Sequence, residues 1–213
     1  MKKSGFLFLL FLGITMTSWS QEIAQWRGPN RNGKYPDRQL LRAWPEGGPR
    51  RVWSYEGVGA GMGSPVVAHG LVYVTGIPDT LSGVGRLTVL DLEGNLRWTK
   101  DYGTDFTALF AGVRSTPTVA GDLVYLESGN GVVYCLNALT GKQIWAVDFF
   151  KELGADSVQF GFSESVLIDG ERLYCTPGGK ANNMVALNRF TGEKIWASPG
   201  YGEQATYTSP VIF

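Results

Sequence analysis

Arg114 and Glu164 are the charged residues of this sequence best placed to do chemistry. Each stands just ahead of a short apolar segment that recurs along the chain. At that point the four copies read Met62-Gly63, Arg114-Ser115, Ser163-Glu164 and Tyr207-Thr208. A guanidinium there could hold a cofactor carboxylate, and a carboxylate could hold an ion or a side chain of a protein partner. The same two groups could instead close a salt bridge or stand solvated on a rim. His69 is the single histidine, and Cys135 and Cys175 lie on separate repeats with no C-x-x-C or haem-attachment pattern. Zinc chemistry and a Ser-His-Asp triad are therefore excluded for this stretch. The cysteines read as small apolar strand residues, with a disulfide between repeats as the open alternative.

The elements that must position these groups follow from a repeat of about 50 residues, a period that implies a propeller or a solenoid. "DLEGNLRW", "NALTGKQIW" and "NRFTGEKIW" place Gly94, Gly141 and Gly192 four residues before Trp98, Trp145 and Trp196, and Tyr73, Tyr125 and Tyr174 recur in step. Each unit reads as four short strands. The first follows a small hydroxyl residue ("SPVVA", "TPTVA", "SVLID", "SPVIF"), the second holds the tyrosine, the third ends in an Asx residue and the fourth carries the tryptophan. Between the last two, Asn137 and Asn188 can cap turn amides while the glycines take the left-handed position. A meander of this kind cannot cover both its faces alone, and radial stacking covers them. A tryptophan that recurs once per unit is then a structural peg between neighbouring sheets, worth about 2–3 kcal/mol of burial per site.

The 213 residues are 44% hydrophobic, with 19 basic and 19 acidic side chains. With no basic excess, neither nucleic acid nor an anionic membrane surface is an expected partner. The 29 glycines suit many tight turns. The start, "MKKSGFLFLLFLGITMTSWS", has two lysines, an apolar run and small residues flanking Trp19. That pattern predicts a signal peptide over 1–20, its apolar run being too short for the ~20 residues a membrane span needs. The expectation is a mature chain from Gln21, exported to the periplasm or beyond and not inserted in the membrane. An N-terminal arm is expected over 21–49 and repeats over 50–213. The long connections, at 76–85, 100–113, 148–162, 177–183 and 198–206, gather on one face, where binding residues tend to sit. They carry Tyr102, Phe106, Phe110, Phe149, Phe150, Phe160 and Phe162, and "FKELGA" from 150 suits one helical turn.

The units "CLNALTGKQIW" and "ALNRFTGEKIW" resemble the A-x-D-x-x-T-G-x-x-x-W motif of quinoprotein-type (PQQ-repeat) β-propellers, with Asn137 and Asn188 in place of the usual Asp. "QWRGPNRNGKYPD", "LLRAWPEGGPRRVW" and "GFSES" are similar to secreted PQQ-like, BamB-like proteins of bacteria. The resemblance implies an all-β propeller of four-stranded antiparallel blades. It also implies a ring of seven or eight blades, of which this chain would supply a last strand near Trp53, three blades, and the first strand of a fourth over 207–213. Two functions follow as expectations. The first is a binding or assembly scaffold meeting a protein partner through its long-loop face. The alternative is a PQQ-dependent dehydrogenase of alcohols or sugars, with Arg114 answering a cofactor carboxylate and Glu164 a calcium ion. The vicinal disulfide of such enzymes has no counterpart here.

Overall fold

The computed structural model describes residues 23–212; the expected signal peptide lies outside them. The chain opens with a short strand β1 (Ile23–Ala24) and then runs through three antiparallel four-stranded sheets. The first blade is β2 (Val66–Ala68), β3 (Leu71–Gly76), β4 (Val84–Asp91) and β5 (Leu96–Thr104). The second is β6 (Thr118–Ala120), β7 (Leu123–Ser128), β8 (Val132–Asn137) and β9 (Gln143–Asp148), followed by a single helical turn α1 (Phe149–Glu152). The third consists of β10 (Leu167–Asp169), β11 (Arg172–Cys175), β13 (Val185–Asn188) and β14 (Lys194–Ala197). A small pair, β12 (Gly178–Gly179) with β15 (Glu203–Gln204), bridges its long connections.

Register and turn chemistry repeat with the sequence. Val66, Thr118 and Leu167 lie opposite Tyr73, Tyr125 and Tyr174. The ladder between third and fourth strands slips at an equivalent place in each blade, after Val89, Cys135 and Ala186, and in the first blade also after Gly85. The turn that follows is closed by an Asx side chain. Asn137 Oδ1 accepts from the Leu139 and Thr140 amides at 3.1 and 2.9 Å, and Asn188 Oδ1 from Phe190 and Thr191 at 2.9 and 3.2 Å. Such Asx turns replace the backbone bonds that the reversal would otherwise leave unmade. The helical turn expected near 150 begins at Phe149, where Asp148 caps the Phe150 and Lys151 amides and Glu152 reaches back to the Asp148 amide at 2.8 Å. This reciprocal arrangement resembles a capping box with its glutamate one position later.

The blades stack through two cores. Tyr73, Leu87 and Val89 of the first blade meet Val124, Leu126 and Leu136 of the second. Tyr125, Val133 and Cys135 of the second meet Ile168, Leu173 and Leu187 of the third. Each tryptophan peg then lies on the turn glycine of the following blade. A Cβ added at Gly94 would stand 2.6 Å from Trp53, one at Gly141 2.9 Å from Trp98, and one at Gly192 3.0 Å from Trp145. All three glycines have positive φ, at 85°, 69° and 79°. The glycine four residues before each tryptophan is thus the seat for the peg of the preceding blade.

Burial of the pegs is not uniform, which departs from equivalent burial of all three. Trp145 is 8% exposed, Trp98 half-buried and Trp196 40% exposed, because no described turn covers Trp196. Residues 207–212 likewise form no strand among the described residues, since no described strand lies beside them to make a ladder. Their start nonetheless takes the expected place. Ser64 N donates to Thr116 Oγ1 at 3.0 Å, Thr116 N to Ser165 Oγ at 2.9 Å, and Ser165 N to Ser209 Oγ at 2.9 Å. The small hydroxyl ahead of each first strand is therefore a hub tie between neighbouring units.

Candidate functional site

Positions 62, 114, 163 and 207, equivalent in the repeat, converge in space. Met62, Arg114, Ser163 and Tyr207 line one pocket of about 370 Å³ together with Phe110 and Phe160. The first four come from the starts of successive units and the two phenylalanines from the long connections after β5 and β9. Much of this wall is apolar and open to solvent, with Phe110 78% exposed. Phe160 and Tyr207 pack at 6.0 Å between ring centroids.

Arg114 is half spent on its own loop. Its Nη2 donates to the carbonyls of Leu109 and Phe110, both at 2.9 Å, and its guanidinium lies 4.7 Å over the Phe106 ring. Asp105 anchors the same loop, accepting from the Phe106 and Gly129 amides at 2.8 Å and from the Tyr102 hydroxyl at 2.9 Å. Burial pushes that carboxyl up and those donors pull it back. The guanidinium is thereby fixed at the pocket wall with part of its donor fork left over.

Glu164 does not join it. The neighbouring Ser163 faces the pocket, whereas Glu164 is 2% exposed, and its Oε2 accepts from the backbone amide of Thr176 at 3.0 Å and from the Thr176 hydroxyl. Successive residues of extended chain point opposite ways, so one position separates a rim residue from a core residue. Among the described residues there is no ion pair between Arg114 and Glu164, and no group of three or more His, Cys, Asp or Glu side chains gathers as a metal site. A cofactor carboxylate fits Arg114; a calcium ion beside it does not fit Glu164. Cys135 and Cys175 are free thiols, both buried, and burial pushes the Cys135 thiol up to about 12.

Two charged residues absent from the sequence reading prove central to the hub. Arg31, in the arm, is 4% exposed; it donates to Ser165 O at 2.6 Å, Val166 O at 3.0 Å and Gln25 Oε1 at 3.1 Å. Burial lowers its guanidinium to about 10, against the pull of Glu164. With β1 paired to β6, it fixes the arm across the second and third blades. Glu127, 2% exposed on β7, lies in the joint between those blades near Glu164. The available signal was a glutamate inside the apolar strand "LVYLES", where "LVYVTG" has Thr75.

Comparison with known proteins accords with this architecture. A family model described as "Outer membrane protein assembly factor BamB" matches residues 83–212. The BamB of Kangiella koreensis is 25% identical over 142 residues, covering 64% of this chain and 32% of that protein. The BamB of Escherichia coli is 28% identical over 116 residues, covering 54% and 28%. The chain thus spans about a third of the length of these curated relatives. Among solved structures, the quinohemoprotein alcohol dehydrogenase from Comamonas testosteroni superposes with a TM-score of 0.51 at 20% identity, over 70% of this chain and 22% of that one, a likeness of fold. No described helix is long and apolar enough to cross a membrane. Repeated pegs, seats and Asx turns, and a family match across more than half of the sequence, lead to one conclusion: the chain belongs to the BamB family of PQQ-like β-propeller repeat proteins.

Proposed function

We propose that this protein is an exported assembly scaffold that receives a protein partner at the Arg114 pocket. The observation that supports this most is the convergence of Met62, Arg114, Ser163 and Tyr207, one from the start of each successive unit, with Phe110 and Phe160. An arginine among exposed aromatic and methionine side chains on a rigid frame is the composition of protein-binding hot spots. Its residual donors suit a carboxylate on the partner, and the rings suit an apolar anchor beside it. The relatives named as outer membrane assembly factors point to a partner in that process. The signal-peptide pattern of the sequence over 1–20 supports export.

The test is complementation in a strain lacking the gene. Wild-type protein should restore outer-membrane protein levels, and a double Arg114→Glu, Tyr207→Ala variant, folded by circular dichroism, should not. Equal rescue by both would remove the pocket from the function. The dehydrogenase reading has one observation in its favour, that Arg114 lines a pocket with stacking rings. Calorimetric titration of PQQ with calcium separates the two readings: sub-micromolar binding abolished by Arg114→Ala would overturn the scaffold proposal.

A further inference from the structure

The joint between the second and third blades contains two carboxyl groups and few donors. Glu127 and Glu164 are each 2% exposed. Both oxygens of Glu127 and Oε1 of Glu164 have no hydrogen-bond partner among the described residues. An ionised carboxylate accepts only and is costly to bury without donors. The groups that face this pair are Arg31 from the arm, Asp105 from the connection after β5, and Cys175 and Thr176 at the end of β11. Thr176 is already given to Glu164, and Arg31 to backbone carbonyls and Gln25 apart from its Nε, which is likewise buried with no hydrogen-bond partner among the described residues.

The preceding joint shows what this position does in the repeat. Tyr73 and Tyr125 are equivalent, so Thr75 corresponds to Glu127, and Ser115 corresponds to Glu164. At the first joint Thr75 Oγ1 donates to the Ser115 carbonyl at 3.3 Å, tying one blade to the start of the next. The same two chain positions meet at this joint, where the backbone amide of Glu164 faces the Glu127 carboxyl and pulls it down against burial. A glutamate can replace a threonine donor only when it carries a proton.

We propose that Glu127 is held as a neutral carboxylic acid that donates across the joint to Glu164, so that a proton fastens the second blade to the third and the joint loosens in alkali. The electrostatics agree in direction. Burial pushes Glu164 up to about 8, held back by Thr176 and Arg31, and it pushes Glu127 well up too, raised further by Glu164 and Asp105 and held back by the Glu164 amide. Acids this close titrate in two steps that belong to the pair rather than to either residue. The proposal is independent of what the Arg114 pocket binds.

Cys175 reports on the joint, because its thiol lies buried against both carboxyls. The experiment measures alkylation of Cys175 by peptide mapping from pH 6 to pH 8, each rate divided by that of the unfolded chain at the same pH. A retained proton makes opening rise about tenfold per pH unit over this window. The slope in wild type should therefore exceed that in Glu127→Gln by about one decade per pH unit, and Glu127→Thr, which restores the hydroxyl of the first joint, should follow Glu127→Gln. Equal slopes would overturn the proposal. Infrared difference spectra of wild type against Glu127→Gln give a check that needs no opening. A protonated carboxyl band at pH 7 that vanishes in the variant supports the assignment, and a carboxylate band in its place refutes it.

Discussion

A glycine with an indole lying on it is the smallest unit of this architecture. Gly192 combines a positive φ with no room for a side chain, its would-be Cβ standing 3.0 Å from Trp145. Gly192→Ala should therefore destabilise by about 1–3 kcal/mol through backbone strain and a displaced ring, measured by urea unfolding. Trp145→Ala removes the buried peg and its bond to the Arg189 carbonyl at 3.1 Å, and should cost about 3–5 kcal/mol. The same change at Trp196, 40% exposed, should cost about 1 kcal/mol. The glycine and the tryptophan were each legible from recurrence. Their relation was not, because the ring that occupies a seat belongs to the preceding unit, and spacing within one motif says nothing of a contact between two.

The arm is the element whose weight was hardest to foresee. "WRGPNRNG" reads as turns, and so it folds, yet Arg31 within it makes three buried bonds across the hub while β1 contributes only two paired residues. Arg31→Met should free the arm, leave the Ser165 carbonyl unpartnered and leave the Val166 carbonyl to the Thr118 hydroxyl, at about 3–5 kcal/mol for one side of a buried charged network. Limited proteolysis should then cut between residues 25 and 45 well before the blades. Strand order and turn type could be read in advance because apolar alternation and Asx-x-x-Thr-Gly chemistry are local. Arg31 could not, since two of its three acceptors are backbone carbonyls more than a hundred residues away, and backbone carries no sequence signal. Arg114 and Glu164 show the same limit from the other side. Both stand at the head of a unit, but a shift of one residue in extended chain sends one to the rim and the other to the core.

For the molecule as a whole, the buried acids set a direction of pH dependence. The folded value of Glu164 is raised from 4.5 to about 8, so its contribution is complete below about pH 4.5 and is lost as the pH rises through about 8. Glu127 and Asp105 are shifted in the same sense by burial. Thermal unfolding should therefore show stability falling from acid toward alkali, with Glu127→Gln flattening the curve by up to about 1.4 kcal/mol per pH unit. A protein whose carboxylates were mostly ion-paired would show the opposite slope.

Each peg belongs to one blade and its seat to the next, and this arrangement bears on how such chains lengthen. A head-to-tail joint matches its own copy, so duplicating or deleting one whole unit of the gene leaves each remaining peg with a seat. Loss of the second blade would bring Trp98 to Gly192 without a mismatch of parts. The carboxyl pair is what would object. That deletion would set Thr75 against Glu164, and duplication of the second blade would set Glu127 against a second copy of Ser115. Drift in repeat number is thus permitted by the tryptophans and marked by the one joint that differs, which gives otherwise interchangeable blades a fixed address in the chain.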